Sequence, residues 1–323
     1  MTTSITFSKS GYDPFIDCIK AYAIICVLIG HTLPVTNFAY GLWAGMQVPL
    51  FILVQVFHFY KKEDTCLNIK KIFQRVVMPF LVIGVLEFIV LCILNGGYDC
   101  KSLIISGLLD GGGGYGPGSY FPITYVQIAL LLPCFQRVFN RLNRTQVIWF
   151  FLVLAEGLEV LCSLIYLPEW LYRLLAIRYL FLILLGWFWV REGIVLNRRM
   201  VVLSILSALA IIYFEYLAVY FDIDTEPWFF KTDWTFHRWP CYYFCAYGLV
   251  FLLHLIWEWL QKTEWISNLV KELAKSSYEI FLVQMCACYA NRFLHIFIIW
   301  SISLVGGIVF NRINNMIFRI KAK

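Results

Sequence analysis

Residues Tyr12 to Pro34 read YDPFIDCIKAYAIICVLIGHTLP. From Phe15 to Leu33 the run is mostly apolar, long enough as a single helix to cross a bilayer core of about 30 Å. Three side chains within it are costly in lipid: Asp17, Lys20 and His31. Lys20 and His31 are close to three turns apart, so both point to nearly the same side, their Cα atoms roughly 16 Å apart along the axis. One face thus carries a cation near one membrane surface and an imidazole near the other. Asp17, one turn before Lys20, is placed to pair with it. A Lys at a helix start commonly snorkels to the interface, and a lone His is commonly a hydrogen-bonded core residue. Two ionisable groups on one stripe point instead to a functional face.

The rest of the chain has the same character. Of 323 residues, 61% are hydrophobic and 14% charged, a balance that excludes an ordinary soluble domain. Mean hydropathy is +0.75, and apolar runs of membrane-spanning length recur from end to end. The first run is too long for the apolar region of a cleavable signal peptide and lacks a small-x-small cleavage site. Eleven cysteines occur without a CxxC pair, so neither a metal site nor a disulfide framework is expected. The net charge of +6 is spread over loops, which reads as topology and lipid contact rather than nucleic-acid binding.

The expected fold is an all-α, polytopic membrane bundle forming one domain over residues 1–323, with about ten spans. They fall near 15–35, 41–60, 76–95, 119–139, 147–166, 172–190, 200–220, 239–259, 277–295 and 297–317. An even number puts both termini on one side. Of the 26 Lys and Arg, 19 then lie in segments on the side of the termini and 5 on the other, which makes that side cytoplasmic. Lys20 lies near the cytoplasm and His31 near the outer face.

The order Ile-Asp-x-x-Lys followed by an apolar run ending in Gly-His resembles the first helix of the acyltransferase 3 family of integral membrane O-acyltransferases, in which Arg or Lys, ten residues, then His is the signature. Other segments resemble that family in the expected order. The second span, GLWAGMQVPLFILVQVFHFYKK, has Gln55 and Val56 where the family has Ser-Gly; Gln55 and His58 share a face. Before the Pro that opens the third span, Lys71 and Arg75 stand in place of the family's Arg-x-x-Arg, as i,i+4 neighbours. GSYFPITYVQIALLLP matches in Ser119, Tyr120 and Gln127. LAKSSYEIFLVQM matches the late Ser-Tyr segment, with Gln284 where the family has His.

The resemblance implies transfer of an acyl group, read as acetyl, from cytoplasmic acyl-CoA to a hydroxyl of a cell-surface or lipid-linked glycan in a bacterial inner membrane. It implies acetyl-CoA as donor and requires no metal; a homo-oligomer is left open. His31 is the expected catalytic base, with Asp17 orienting or neutralising Lys20. Lys20, Lys71 and Arg75 are the expected holders of the coenzyme A phosphates. Gln55, Ser119 and Tyr120 are candidate substrate contacts, as are Trp234, His237 and Arg238 in the aromatic loop FDIDTEPWFFKTDWTFHRWP. Direct transfer and an acetyl-His intermediate both remain open.

Other features have plainer readings. Four consecutive glycines, 111–114, lack the GK[ST] and preceding strand of a P-loop. Glu156 and Glu159 repel unless one is protonated or a cation intervenes, and Arg178 is the available partner for an interhelical pair. Chained with Glu215, these groups are also what a secondary transporter or flippase for a charged or sugar-containing substrate would use. The halves of the chain show no internal repeat, which counts against that alternative.

Overall fold

A computed structural model describes residues 3–5, 12–32, 46–62, 68–95, 118, 120–221, 239–288 and 295–317. Among them Ser119, Trp234, His237 and Arg238 are not included.

The described chain is helical, with α1 Pro14–Gly30 at its centre. Asp13 caps it, its side chain accepting from Phe15 N at 3.1 Å, and Pro14 fits the first turn, where no N–H is needed. Around α1 pack α2 (Gln47–Lys61), α10 (Trp239–Leu260), α11 (Glu264–Lys275) and α12 (Ser277–Ala287). α8 (Leu180–Glu192) covers the far side of α2, and α5 (Phe121–Phe139) lies against α2. The outer helices are α3 (Ile69–Ile72) continuing into α4 (Met78–Asn95), α6 (Arg144–Leu164), α9 (Arg198–Phe221) and α13 (Ile296–Ile317). A short α7 (Glu169–Leu174) precedes α8.

Polarity is inverted relative to a soluble protein. α4 exposes Leu81, Val85, Leu86, Ile89 and Ile93, and α13 exposes Ile298, Ile302, Val305 and Val309. Apolar bands this continuous face lipid. Five described helices are long and apolar enough to cross a membrane: 69–90, 121–139, 144–164, 243–260 and 296–317. The chain is therefore a helical membrane protein.

Four features depart from the sequence reading. One short strand pair joins the helices: β1 (Thr3–Ile5) pairs antiparallel with β2 (Ile194–Leu196), which leaves α8 through Gly193. Three residues a side are too short to stand out from an apolar sequence. Residues 264–275, read as an inner loop, form amphipathic α11, which buries Leu273 and Ala274 and is too polar to register as a span. The sixth predicted span is broken, α7 being followed by a 3₁₀ turn Ala176–Tyr179 and then α8. Finally, Phe73–Val77 form a π-helical turn in which Met78 N–H reaches Phe73 O. Pro79 is the physical cause, because it has no N–H for the carbonyl four residues back and its ring crowds that carbonyl. Lys71 thus lies in α3 and Arg75 in the π turn that follows it.

Asn311 and Asn314, which interrupt the apolar pattern of α13, bind α12. Asn311 donates to Ser276 Oγ at 3.0 Å and Asn314 to Glu279 Oε1 at 3.4 Å. About one turn before these bonds, Gly307 lets the backbones touch: a Cβ there would stand 2.4 Å from Ile280 Cα. Small residues at such crossings are what allow close helix packing in lipid. Gly307→Ala is expected to cost about 1–3 kcal/mol, the range for overpacking. A lowered thermal midpoint in detergent checks this; an unchanged midpoint would show that the crossing relaxes freely.

Candidate active site

His31 caps the C-terminal end of α1, and its Nδ1 faces the amide of Gln284 on α12, 3.1 Å from Oε1 and 2.7 Å from Nε2. An amide holds an imidazole in either tautomer: Oε1 accepts from Nδ1–H, or Nε2 donates to a bare Nδ1. Gln284 is wholly buried and also donates from Nε2 to Cys288 Sγ at 3.2 Å. The neighbouring Thr32 donates to Leu28 O at 2.6 Å and accepts from Trp300 Nε1 at 3.1 Å, tying this end of α1 to α13. The ring's Cε1 faces Gly118, whose φ of +98° and closeness to Phe281 suit glycine (an added Cβ would meet Phe281 Cε2 at 2.9 Å).

At the other end of α1, Lys20 Nζ lies 3.7 Å from Asp17 Oδ1, as the one-turn spacing predicts. Tyr12 donates to the other oxygen of Asp17; partial burial and that bond hold the phenol protonated, above the ordinary tyrosine range. Arg75 lies within electrostatic reach of Lys20, Lys71, Tyr125 and Glu279. His58 faces Lys20, Lys61, Lys62 and Lys71. Arg75 thus lies near both Lys20 and Lys71, and the His58 imidazole lies near the lysines. Grouped cations of this kind are the sort of site that a polyanion can occupy.

Two ladders of side chains connect the cluster with His31. On α12, Tyr278 stacks on Phe281 at 6.4 Å, and Gln284 follows one turn later. On α5, Tyr125 meets Phe121 at 6.0 Å, and Phe121 meets Phe281 at 5.4 Å. Tyr278 OH donates to Val76 O at 2.8 Å, fixing the cluster end to the π turn. Gln55 donates from Nε2 to Tyr125 O at 2.9 Å, while its buried Oε1 has no hydrogen-bond partner among the described residues.

Tyr120, the other described candidate contact, lies under Arg178, whose Cζ sits 4.8 Å from its ring centroid. Arg178 donates from Nη2 to Tyr179 OH at 2.8 Å and acts electrostatically on Glu159, which accepts from Tyr172 OH at 2.6 Å. Arg178 and Glu159 are thus neighbours, each hydrogen-bonded to a tyrosine. Gln127 sets the position of Arg178: its Nε2 donates to Leu174 O at 2.7 Å and its Oε1 accepts from Ala176 N at 3.0 Å, bridging the break before the 3₁₀ turn. Ser119, Trp234, His237 and Arg238 lie outside the described residues.

The described helices form a lipid-facing bundle with a partly buried imidazole at one end of its central helix and cations at the other. The family model for the acyltransferase domain, the acyltransferase 3 family, matches residues 13–313, and the chain belongs to that family. It is accordingly an acyltransferase of membrane type. No curated protein and no solved structure matches it.

Proposed function

We propose that the protein transfers acetyl from cytoplasmic acetyl-CoA to a hydroxyl of a cell-surface or lipid-linked glycan at the outer side of an inner membrane. In this reading the chain makes ten crossings with both termini in the cytoplasm, in line with the distribution of Lys and Arg. The observation that carries the reading is the pairing of His31 with Gln284 at the opposite end of α1 from Lys20 and Arg75. Lys20, Lys71 and Arg75 hold the donor phosphates, and Asp17 restrains Lys20. The pantetheine arm follows the side chains of Tyr125, Phe121, Tyr278 and Phe281. There the unpaired Gln55 Oε1 accepts from one of its amide N–H groups.

At His31 the useful tautomer donates Nδ1–H to Gln284 Oε1, leaving the Nε2 lone pair free. Nε2 takes the proton of the acceptor hydroxyl as its oxygen attacks the thioester carbonyl. The C–S bond then breaks, and the imidazolium returns the proton to the leaving thiolate. A neutral imidazole suits this exchange, since its ordinary pKa lies near working pH.

The test is incubation of purified protein with labelled acetyl-CoA and candidate glycans, followed through hydroxylamine-sensitive label. Ester-linked label on a glycan supports the reading; label remaining on coenzyme A with every glycan opposes it. Lys20→Ala is expected to raise the donor KM about tenfold with little change in kcat, because a partly exposed cation contributes uniform binding. An unchanged donor KM removes Lys20 from the donor site.

A further inference from the structure

Tyr12 precedes α1 and is 60% exposed, yet its ring is held in place, because its hydroxyl donates to Asp17. Lys20 Nζ faces the other oxygen of the same carboxylate, so Tyr12 stands beside a cation proposed to hold the donor phosphates. Helix α11 packs on α1 and supplies a further cation, Lys271, whose Nζ lies 5.7 Å from the centroid of the Tyr12 ring. Leu273 and Ala274 bury one side of α11 and leave Lys271 exposed. The nearby acids are engaged elsewhere: Asp13 caps Phe15 N, Asp17 holds Tyr12 and Lys20, and Glu272 pairs with Arg312 at 3.4 Å. Among the described residues no carboxylate lies within ion-pair distance of Lys271. The proposed phosphate grip and proton transfer use neither Tyr12 nor Lys271.

An exposed aromatic ring that is tied in one orientation, with an ammonium beside it, suits a planar base that carries a phosphate. The ring offers a π-face for stacking. The ammonium, on its flexible four-carbon stem, can leave the ring and follow a phosphate as a point charge. The order of groups along α1 also matches one ligand. Coenzyme A runs from adenine through a ribose with a 3′-phosphate and a diphosphate to pantetheine and the thioester. Along α1 stand, in the same order, Tyr12 with Lys271, then Lys20, then the ladder of Tyr278 and Phe281, then His31. We propose that Tyr12 and Lys271 form the nucleotide subsite of the donor, with adenine stacked on the Tyr12 ring and the ribose 3′-phosphate on Lys271. This deepens the acyl-transfer reading and rests on its placement of the donor phosphates at Lys20.

The experiment uses full-length protein in phosphatidylcholine nanodiscs and measures the Kd of coenzyme A and of 4′-phosphopantetheine, which lacks the adenosine and its 3′-phosphate. Tyr12→Leu should raise the Kd of coenzyme A by about 10–100-fold, the effect of losing one stacked base. Lys271→Ala should raise it roughly fivefold, the upper range for a single exposed charge. Tyr12→Phe keeps the ring and loses only the bond to Asp17, so its Kd should stay within about threefold of wild type. All three variants should bind 4′-phosphopantetheine as the wild type does. Tyr12→Phe as weak as Tyr12→Leu would overturn the subsite, because loss of the Asp17 bond would then be the cause. Equal weakening of both ligands would overturn it as well, since a structural defect does not distinguish them. Unchanged coenzyme A binding in Tyr12→Leu overturns the stacking, and in Lys271→Ala the phosphate contact, while wild-type binding leaves the donor reading standing. A wild-type protein that binds no coenzyme A overturns the donor reading, and the subsite falls with it.

Discussion

His31→Ala is expected to lower the rate of acyl transfer by about 10²–10⁴, the usual contribution of a positioned general base. The effect should appear in kcat with little change in donor KM, because the side chain acts on a proton in flight and lies at the other end of α1 from Lys20, Lys71 and Arg75. His31 follows the last α-helical residue of α1, so truncating it removes the bond to Gln284 without interrupting the helix. Retained binding of coenzyme A by the variant would show that the loss is chemical. A variant that acetylates at the wild-type rate would remove His31 from the mechanism.

Gln284→Leu carries the next largest expected effect, a fall in kcat of ~10–100-fold, by analogy with loss of a residue that orients a catalytic or ligating imidazole. Leucine is close in size to glutamine but offers Nδ1 nothing, so the ring loses both its fixed tautomer and its orientation. Gln284→Glu should keep the ring in place and hold Nδ1–H firmly, recovering much of the rate and moving the pH optimum upward, because a carboxylate stabilises the imidazolium. The sign follows from charge: raising the imidazole pKa means that a higher pH is needed to populate the neutral base. The check is a pH–rate profile of both variants. Equal losses for Leu and Glu, with no displacement of the profile, would mean that Gln284 only packs.

The sequence made the central helix plain because its message is local. Asp13, Pro14, Asp17, Lys20 and His31 lie within one run, and their spacing alone assigns faces, the capped start and the Asp17–Lys20 pair. What it left obscure depends on distant partners. Gln284 stands out in sequence only as a glutamine where the resembling family has histidine; that it meets His31 requires α12 to lie along α1, 253 residues away in the chain. Gln127 likewise registers as a recurring polar residue, whereas its function in spanning the break at Leu174 and Ala176 depends on α5 packing against that turn. The π turn at Phe73–Val77 went unforeseen for a local reason, since Pro79 shifts the hydrogen bonding of the turn before it. Helix α11 escaped because hydropathy finds spans and passes over a helix that buries only one narrow face.

The most direct measurement uses sealed inside-out membrane vesicles from the cell that makes the protein, with the cytoplasmic face of the bilayer outward. Labelled acetyl-CoA, which does not cross the membrane, is added outside, and ester-linked label is sought on glycan in the lumen. Donor phosphates at Lys20 and Arg75 and a base at His31, on opposite ends of α1, predict that the lumenal glycan becomes acetylated, with the His31→Ala protein giving none above background. Acetylation only in right-side-out vesicles, or only of acceptors on the donor's own side, would contradict transfer along α1.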